Sequence, residues 1–392
     1  VVSGFEFRSP PRIVFDRGAL ERIGEIASSM GSRAMVVRGG RHLDGSRTMV
    51  RLTELLESAG VEWRGFTVRG EPDVGIVDRA AAAARERGCD HVIGLGGGSA
   101  MDAAKAVAGL LANGGAALDY MEVVGSGRPL ERPAAPLVAV PTTAGTGTEV
   151  TKNAVITSHE HGFKASMRSP HLIPRVALVD PALTDSMPPR VSAATGLDAL
   201  TQLVESYTTR KANPVTDALA TQGIGLAARS LVRACTSGDP EARDDMALAS
   251  LLSGLCLANS GLGAVHGFAA PLGAAFPVPH GVACAALLPH VMEANVAALR
   301  SADPGSPVLA RYARVGTILT GERGEEAPDA GVSHVAGLVR ELEIPPLSSY
   351  GVATGDVDAL VERALGASSM KGNPVELGRE ALALALGRAV GL

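Results

Sequence analysis

Asp198, His266 and His280 are the residue types that a first-row metal ion takes: one carboxylate and two imidazoles. Asp198 lies beside Leu197 and near Leu200 in TGLDALTQLVESY (195–207). A carboxylate in an apolar helical stretch is costly to bury unless it is paired or bound to a cation. Gln202 follows one turn along the same helical face and offers a neutral oxygen. Downstream, HGFAAPLGAAFPVPHG sets His266 and His280 in an apolar context, and Pro279 reads as a helix start. Such a set leaves open positions for water and substrate. The three are far apart in the chain, so spacing alone proves no site, and histidines hydrogen-bonded in a core give the same pattern. His290 follows a proline, and His159, His161 and His171 surround a hairpin or loop; they are weaker candidates.

A second chemistry lies in VIGLGGGSAMDAAK, where an apolar strand (92–95) runs into Gly96, Gly97 and Gly98, then Ser99 and an alanine-rich helix. Such a turn presents backbone N–H groups and the positive helix end to an anion. Without Cβ atoms, a pyrophosphate approaches closely. Ser99 is expected to cap the helix and donate to phosphate, and Asp102 to cap a backbone N–H or hold a ligand. The spacing matches neither G-x-G-x-x-G nor G-x-x-x-x-G-K-[ST], and a turn needed only for packing is the other reading. PTTAGTGTEVT (141–151) places Thr142, Thr143, Thr146 and Thr151 after another strand. Hydroxyls at the C-terminal end of a parallel strand belong at a ligand crevice, although an ordinary hydroxyl-rich turn reads the same way. Together the two loops favour a nucleotide or dinucleotide.

The elements that must position these groups change character halfway along. Strands are predicted at 34–40, 61–68, 91–98, 136–143 and 175–183, with helices at 46–60, 76–88 and 100–112 between them. This alternation predicts a parallel sheet covered by helices. Helical spacing then dominates at 190–209, 214–236, 242–261, 281–298, 303–320, 329–342 and 355–365. The boundary is placed near Pro188-Pro189, giving an α/β domain over 1–187 and an all-helical domain over 188–392. GERGEEAPDAG (321–331) reads as a solvated loop on its charge.

The 392 residues, 46% hydrophobic and 20% charged, suffice for two cored domains and exclude extensive disorder. Lysines and arginines number 36 against 41 acids, and no basic run exceeds two, which argues against a nucleic-acid partner. Four scattered cysteines read as free buried thiols in a reducing compartment. The N-terminus lacks a signal-peptide pattern, and no uninterrupted apolar run approaches about eighteen residues. A soluble cytoplasmic protein with no membrane partner is expected.

Five motifs in order, GGGSAMDAAK (96–105), PTTAGTGTEVT (141–151), ALVDPALTDSMPP (177–189), TGLDALTQLVESY (195–207) and VHGFAAPLGAAFPVPHG (265–281), resemble the iron-containing alcohol dehydrogenase family. That family includes glycerol dehydrogenase and maleylacetate reductase and, more distantly, dehydroquinate synthase; the similarity runs from FRSPPRIVFDRGAL (7–20) to about 295. The resemblance implies a dehydroquinate synthase-like fold: a Rossmann-like parallel-sheet domain binding NAD or NADP, an all-helical metal domain, and a cleft between them. It implies hydride transfer between the nicotinamide and a small alcohol, aldehyde or ketone, at Fe2+ or Zn2+, in a homodimer or higher homo-oligomer. Asp198, His266 and His280 would hold the metal and carry catalysis, with Gln202 a fourth, weaker donor. Gly39, Gly40, Gly96, Gly97, Gly98, Ser99, Asp102, Thr142, Thr143, Thr146, Thr151 and Lys164 would surround the cofactor.

Two departures stand out. The family usually has histidine at Gln202, although glycerol dehydrogenases share its loss and bind zinc. Many members also have a second histidine where Ala270 stands, one turn past His266; without it, either water at the metal would have to carry the proton or the activity would be altered. Phe268, Leu272, Phe276 and Val278 read either as the lining of an apolar substrate site or as core. The first strand ends Arg38-Gly39-Gly40-Arg41 with no ribose-binding acid, a pattern that tilts towards NADP or dual use. The rivals are a maleylacetate reductase-like keto-acid reductase, although no basic residue lies in 262–281, and a non-catalytic nucleotide-binding protein.

Overall fold

The computed structural model describes residues 4–40 and 43–391. The chain forms two compact units, Ser9–Ser186 and a helical unit from Met187 onward. Residues 4–8, expected with the first unit, group with the second. There the Arg8 N–H donates to Asn259 Oδ1 (2.6 Å), and the Arg8 carbonyl accepts from Asn259 Nδ2 (2.8 Å).

The first unit runs β1 (Arg12–Phe15), α1 (Ile23–Ser28), β2 (Arg33–Gly39), α2 (Arg47–Ser58), β3 (Glu62–Val68), α3 (Val74–Glu86), β4 (His91–Gly96), α4 (Gly98–Asn113), α5 (Ala117–Tyr120), β5 (Leu137–Pro141), β6 (Asn153–Ser158), β7 (Phe163–Arg168) and β8 (Val176–Val179). Six strands make one parallel sheet in the order β1-β8-β5-β4-β2-β3, while β6 and β7 form a separate antiparallel hairpin. The pleat sends alternate residues to opposite faces. Met35, Val37 and Val92 therefore enter one core with α3 and α4, while Ala34, Val36, Ile93 and Leu95 enter another with α1 and α2. Burial on both faces explains why the central strands read as continuous apolar runs.

The second unit contains α6 (Pro189–Thr208), α7 (Pro214–Thr236), α8 (Pro240–Asn259), α9 (Ala264–Ala275), α10 (His280–Ala302), α11 (Pro307–Thr320), α12 (Ala327–Glu341), α13 (Val357–Leu365) and α14 (Arg379–Val390). Among the described residues it has no strand. Asn213-Pro214, Asp239-Pro240 and Ser306-Pro307 start three helices: the first side chain accepts from the first-turn backbone, and the proline needs no donor there.

One expectation needs correction. The charged stretch 321–331 is not all loop: α12 begins at Ala327, because Glu325, Glu326 and Asp329 suit a helix N-terminus. Helix α9 carries no helical signature in the sequence, because most of it is buried and no polar stripe reveals its period. By length and composition α10 is apolar enough to cross a membrane, yet most of it is buried within the helical unit.

Candidate functional site

Helices α6, α9 and α10 bring one polar cluster together in the second unit. Asp198, His266, His280 and Cys284 each offer a ligand atom, and these atoms lie within 4.8 Å of one another. Asp198 Oδ1 stands 3.5 Å from His266 Nε2 and 3.7 Å from His280 Nε2. Cys284 Sγ stands 3.7 Å from His266 Nε2 and 3.6 Å from His280 Nε2. Asp198 Oδ1 is buried without a hydrogen-bond partner, and the imidazoles stand wide for such bonds. Tetrahedral bonds of about 2.0–2.1 Å to nitrogen or oxygen and about 2.3 Å to sulfur separate nitrogen from oxygen by ~3.3 Å and nitrogen from sulfur by ~3.5 Å. The observed edges are only slightly longer, so the residues fit a divalent first-row cation.

The rest of the His266 ring is fixed by neighbours that sequence reading did not single out. His266 Nδ1 donates to Glu205 Oε2 at 2.6 Å, which turns Nε2 towards Asp198 and Cys284. Glu205 Oε1 also accepts from the Val265 N–H (2.7 Å), and Asn373 Oδ1 from the Ala264 N–H (3.1 Å). These tertiary caps supply what the α9 N-terminus lacks locally. Gly263 permits the approach, since a Cβ there would stand 2.9 Å from both carbonyl-type oxygens. A local signal for Glu205 was available: it lies seven residues after Asp198, two turns along the same face.

Gln202 is not placed as a ligand. Its Nε2 donates to Asp198 Oδ2 (3.2 Å), and its Oε1 accepts from the Ser253 hydroxyl (2.9 Å), so it orients the carboxylate. Ala270 is exposed one turn after His266. Phe268 and Leu272 are fully buried and belong to the core rather than to a substrate lining.

Charges in the cluster support one another. Burial raises the Asp198 carboxyl, but His280 and His266 hold it below its usual range. Cys284 lifts His280 to about 9, against burial and with help from Asp198. Burial opposes protonation of His266, yet Cys284, Asp198 and Glu205 keep its affinity for a proton well above normal. A cation would replace these protons.

In the first unit, the two polar loops meet at adjacent strand ends. Gly97, not Ser99, occupies the α4 N-cap position, and no side chain caps that end. A Cβ at Gly98 would stand 3.0 Å from Thr146, one at Gly97 3.3 Å from Thr143, and one at Gly39 3.7 Å from Gly96 Cα. Gly96, at φ +147°, also has no room for a Cβ beside Ala100 (2.8 Å). The Thr142 N–H donates to the Gly96 carbonyl (2.9 Å), while its hydroxyl is buried without a partner. The glycines let the threonine loop close against the start of α4, and the N–H groups of that helix end, capped by no side chain, fit a pyrophosphate. Gly40 donates its N–H to Val68 (3.0 Å) at the same end of the sheet.

Thr151 and Asp102 instead serve the loop's scaffold. The buried Lys105 ammonium reaches the Thr148 carbonyl (2.9 Å) and hydroxyl (2.7 Å), the Thr151 hydroxyl (2.9 Å), Asp102 (3.2 Å) and the Asn153 carbonyl. Asp102 caps a backbone N–H, as expected, but that of Val155 (3.2 Å). Burial lowers the Lys105 proton affinity against the pull of Asp102, and lifts Glu149 to about 7 against its backbone hydrogen bond and Lys105. Lys164 pairs with Glu71 at 3.4 Å. At the end of β2, Arg38 pairs with Asp44, so an acid does reach this strand end, from the following loop. Arg41 lies outside the described residues.

Residues 10–181 match the family model described as iron-containing alcohol dehydrogenase, and 192–390 match that of the family's C-terminal part. The chain is 38% identical over 365 residues to lactaldehyde reductase of Escherichia coli K12, covering 92% of this chain and 93% of the relative. It superposes on a 1,3-propanediol oxidoreductase crystal structure with a TM-score of 0.91 at 33% identity, covering 99% of this chain and 100% of the other. A sulfoacetaldehyde reductase from Bifidobacterium kashiwanohense, solved with NAD+, gives 0.87 at 27% identity, covering 99% of each chain. The fold is therefore the dehydroquinate synthase-like one expected from the motifs. The chain belongs to the iron-containing alcohol dehydrogenase family and is a nicotinamide-dependent alcohol and aldehyde oxidoreductase.

Proposed function

We propose that this enzyme interconverts a small aldehyde and its alcohol with NAD, at a divalent metal held by Asp198, His266 and His280. The observation that carries this reading is the partnerless buried Asp198 oxygen facing two imidazole nitrogens. When bound, the metal supplies Lewis-acid polarisation of the substrate oxygen, and the nicotinamide gives or takes the hydride. The chain's own residues do the positioning. Glu205 fixes the His266 tautomer and ring plane, and Gln202 holds Asp198. The glycine cradle at 96–98, with Thr142, Thr143 and Thr146 around it, receives the pyrophosphate, and Gly39, Gly40, Ser99 and Lys164 complete the proposed cofactor set. At the position of Ala270 an exposed methyl takes the place of an acid, so the proton exchanges with water.

The named substrates of relatives, lactaldehyde and 1,3-propanediol, support a small oxygenated substrate. The Asp44–Arg38 pair supports NAD over NADP, because a neutralised Arg38 has less to offer a 2′-phosphate. Four free, buried cysteines support a reducing, cytoplasmic setting. The test is a panel of small aldehydes and keto acids with NADH or NADPH, before and after chelation. Chelator-sensitive aldehyde reduction that prefers NADH is expected, with Asp44→Ala raising use of NADPH. Cofactor binding without turnover of any panel member would favour the non-catalytic alternative.

A further inference from the structure

Cys284 sits one turn after His280 on α10, on the same helical face. Its surroundings differ from those of the other three cysteines. Burial pushes the Cys235 thiol to about 11 and the Cys256 thiol to about 12, and Cys256 donates to the Thr216 carbonyl (3.4 Å). Cys89 is likewise raised by burial. These three behave as small apolar side chains. The Cys284 sulfur instead faces two imidazole nitrogens at 3.6 and 3.7 Å, within the same 4.8 Å cluster as the Asp198 oxygen. Gln202, the other possible fourth donor, is already engaged by Asp198 and Ser253.

We propose that Cys284 is a ligand of the metal through its thiolate, and that the resulting carboxylate, two-imidazole, thiolate set selects zinc over iron. The inference rests on the metal reading above and adds to it the sulfur and the choice of metal. Ligation breaks the S–H bond, releases the proton to solvent and forms a metal–sulfur bond, with no change of oxidation state. Thiolate is a soft donor that suits zinc, so it widens the preference for zinc over iron(II) beyond the smaller one that oxygen and imidazole donors give alone. The nitrogen–sulfur edges match those of a tetrahedral site with one longer bond.

The test strips the full-length protein with chelator and reloads it with one equivalent of cobalt(II) or zinc(II). Wild-type protein should take up cobalt with a near-ultraviolet sulfur-to-cobalt charge-transfer band, and Cys284→Ser should bind cobalt but lose that band. Competition between zinc and iron(II) should favour zinc in wild type, with the preference weakened in Cys284→Ser. Should the variant not fold, zinc X-ray absorption of wild type decides: a sulfur neighbour at about 2.3 Å is expected. Bound metal with only nitrogen and oxygen neighbours, or cobalt without the band, overturns the thiolate while leaving the three-ligand site standing. No uptake of cobalt or zinc by wild type overturns both.

Discussion

The glycine cradle of the first unit and the Asp198 cluster of the second are both shaped for a charged ligand, but they are assembled over different sequence ranges. The cradle comes from two short loops at neighbouring strand ends, with backbone conformation as its main ingredient. The cluster comes from three helices, with 68 residues separating Asp198 from His266, so it exists only when those helices pack. A site made of backbone tolerates changes that keep glycine geometry. A site made of converging side chains depends on each donor and on the groups that aim it.

Removing a donor should break this comparison most sharply. Asp198→Ala should abolish stoichiometric metal and lower turnover at least ~10³-fold, since the Lewis acid is worth several kcal/mol. NADH binding, followed by fluorescence, should persist if the two sites are energetically separate.

Filling the cradle is the converse experiment. Gly98→Val would press against Thr146, and overpacking of about 1–3 kcal/mol corresponds to roughly 10–100-fold weaker NADH binding. Metal content measured on the same sample should not change.

Glu205→Gln probes aim rather than donation. It keeps the volume but weakens the charge-assisted bond to His266, and metal affinity should fall about 10–100-fold. Chelator competition reads this directly, and an unchanged affinity would show that packing alone orients the ring.

The smallest effect concerns the threonine loop and depends on pH. Glu149 has its folded-state value raised from 4.5 to about 7, so its protonated form favours folding. That contribution is complete below about pH 4.5 and is lost as pH rises through 7. Glu149→Gln should therefore gain stability over wild type at pH 8, up to about 2–3 kcal/mol, and gain none near pH 4.5. Urea unfolding at both pH values checks the sign.

Much of the nucleotide half was legible because its signals are local. A strand followed by consecutive glycines and a helix has few other backbone solutions, and the pleat predicts the sheet's two-faced burial. Within that same half, Lys105 escaped notice because a lone lysine on an alanine-rich helix looks like a solvated one. Only the folded loop shows its ammonium held by Thr148, Thr151 and Asp102.

In the metal half, residue chemistry singled out Asp198, His266 and His280, since burying such groups demands compensation. It did not single out Cys284, whose type is equally at home in any core, nor Glu205 and Asn373, whose value lies in what they touch. Chain-local chemistry thus established the strand–helix alternation, the glycine turn and the short list of metal donors, because backbone sterics and desolvation act residue by residue. Which donors meet, which are diverted as Gln202 is, and which neighbours aim them was settled by helix packing, because those contacts join positions that nothing in local sequence ties together.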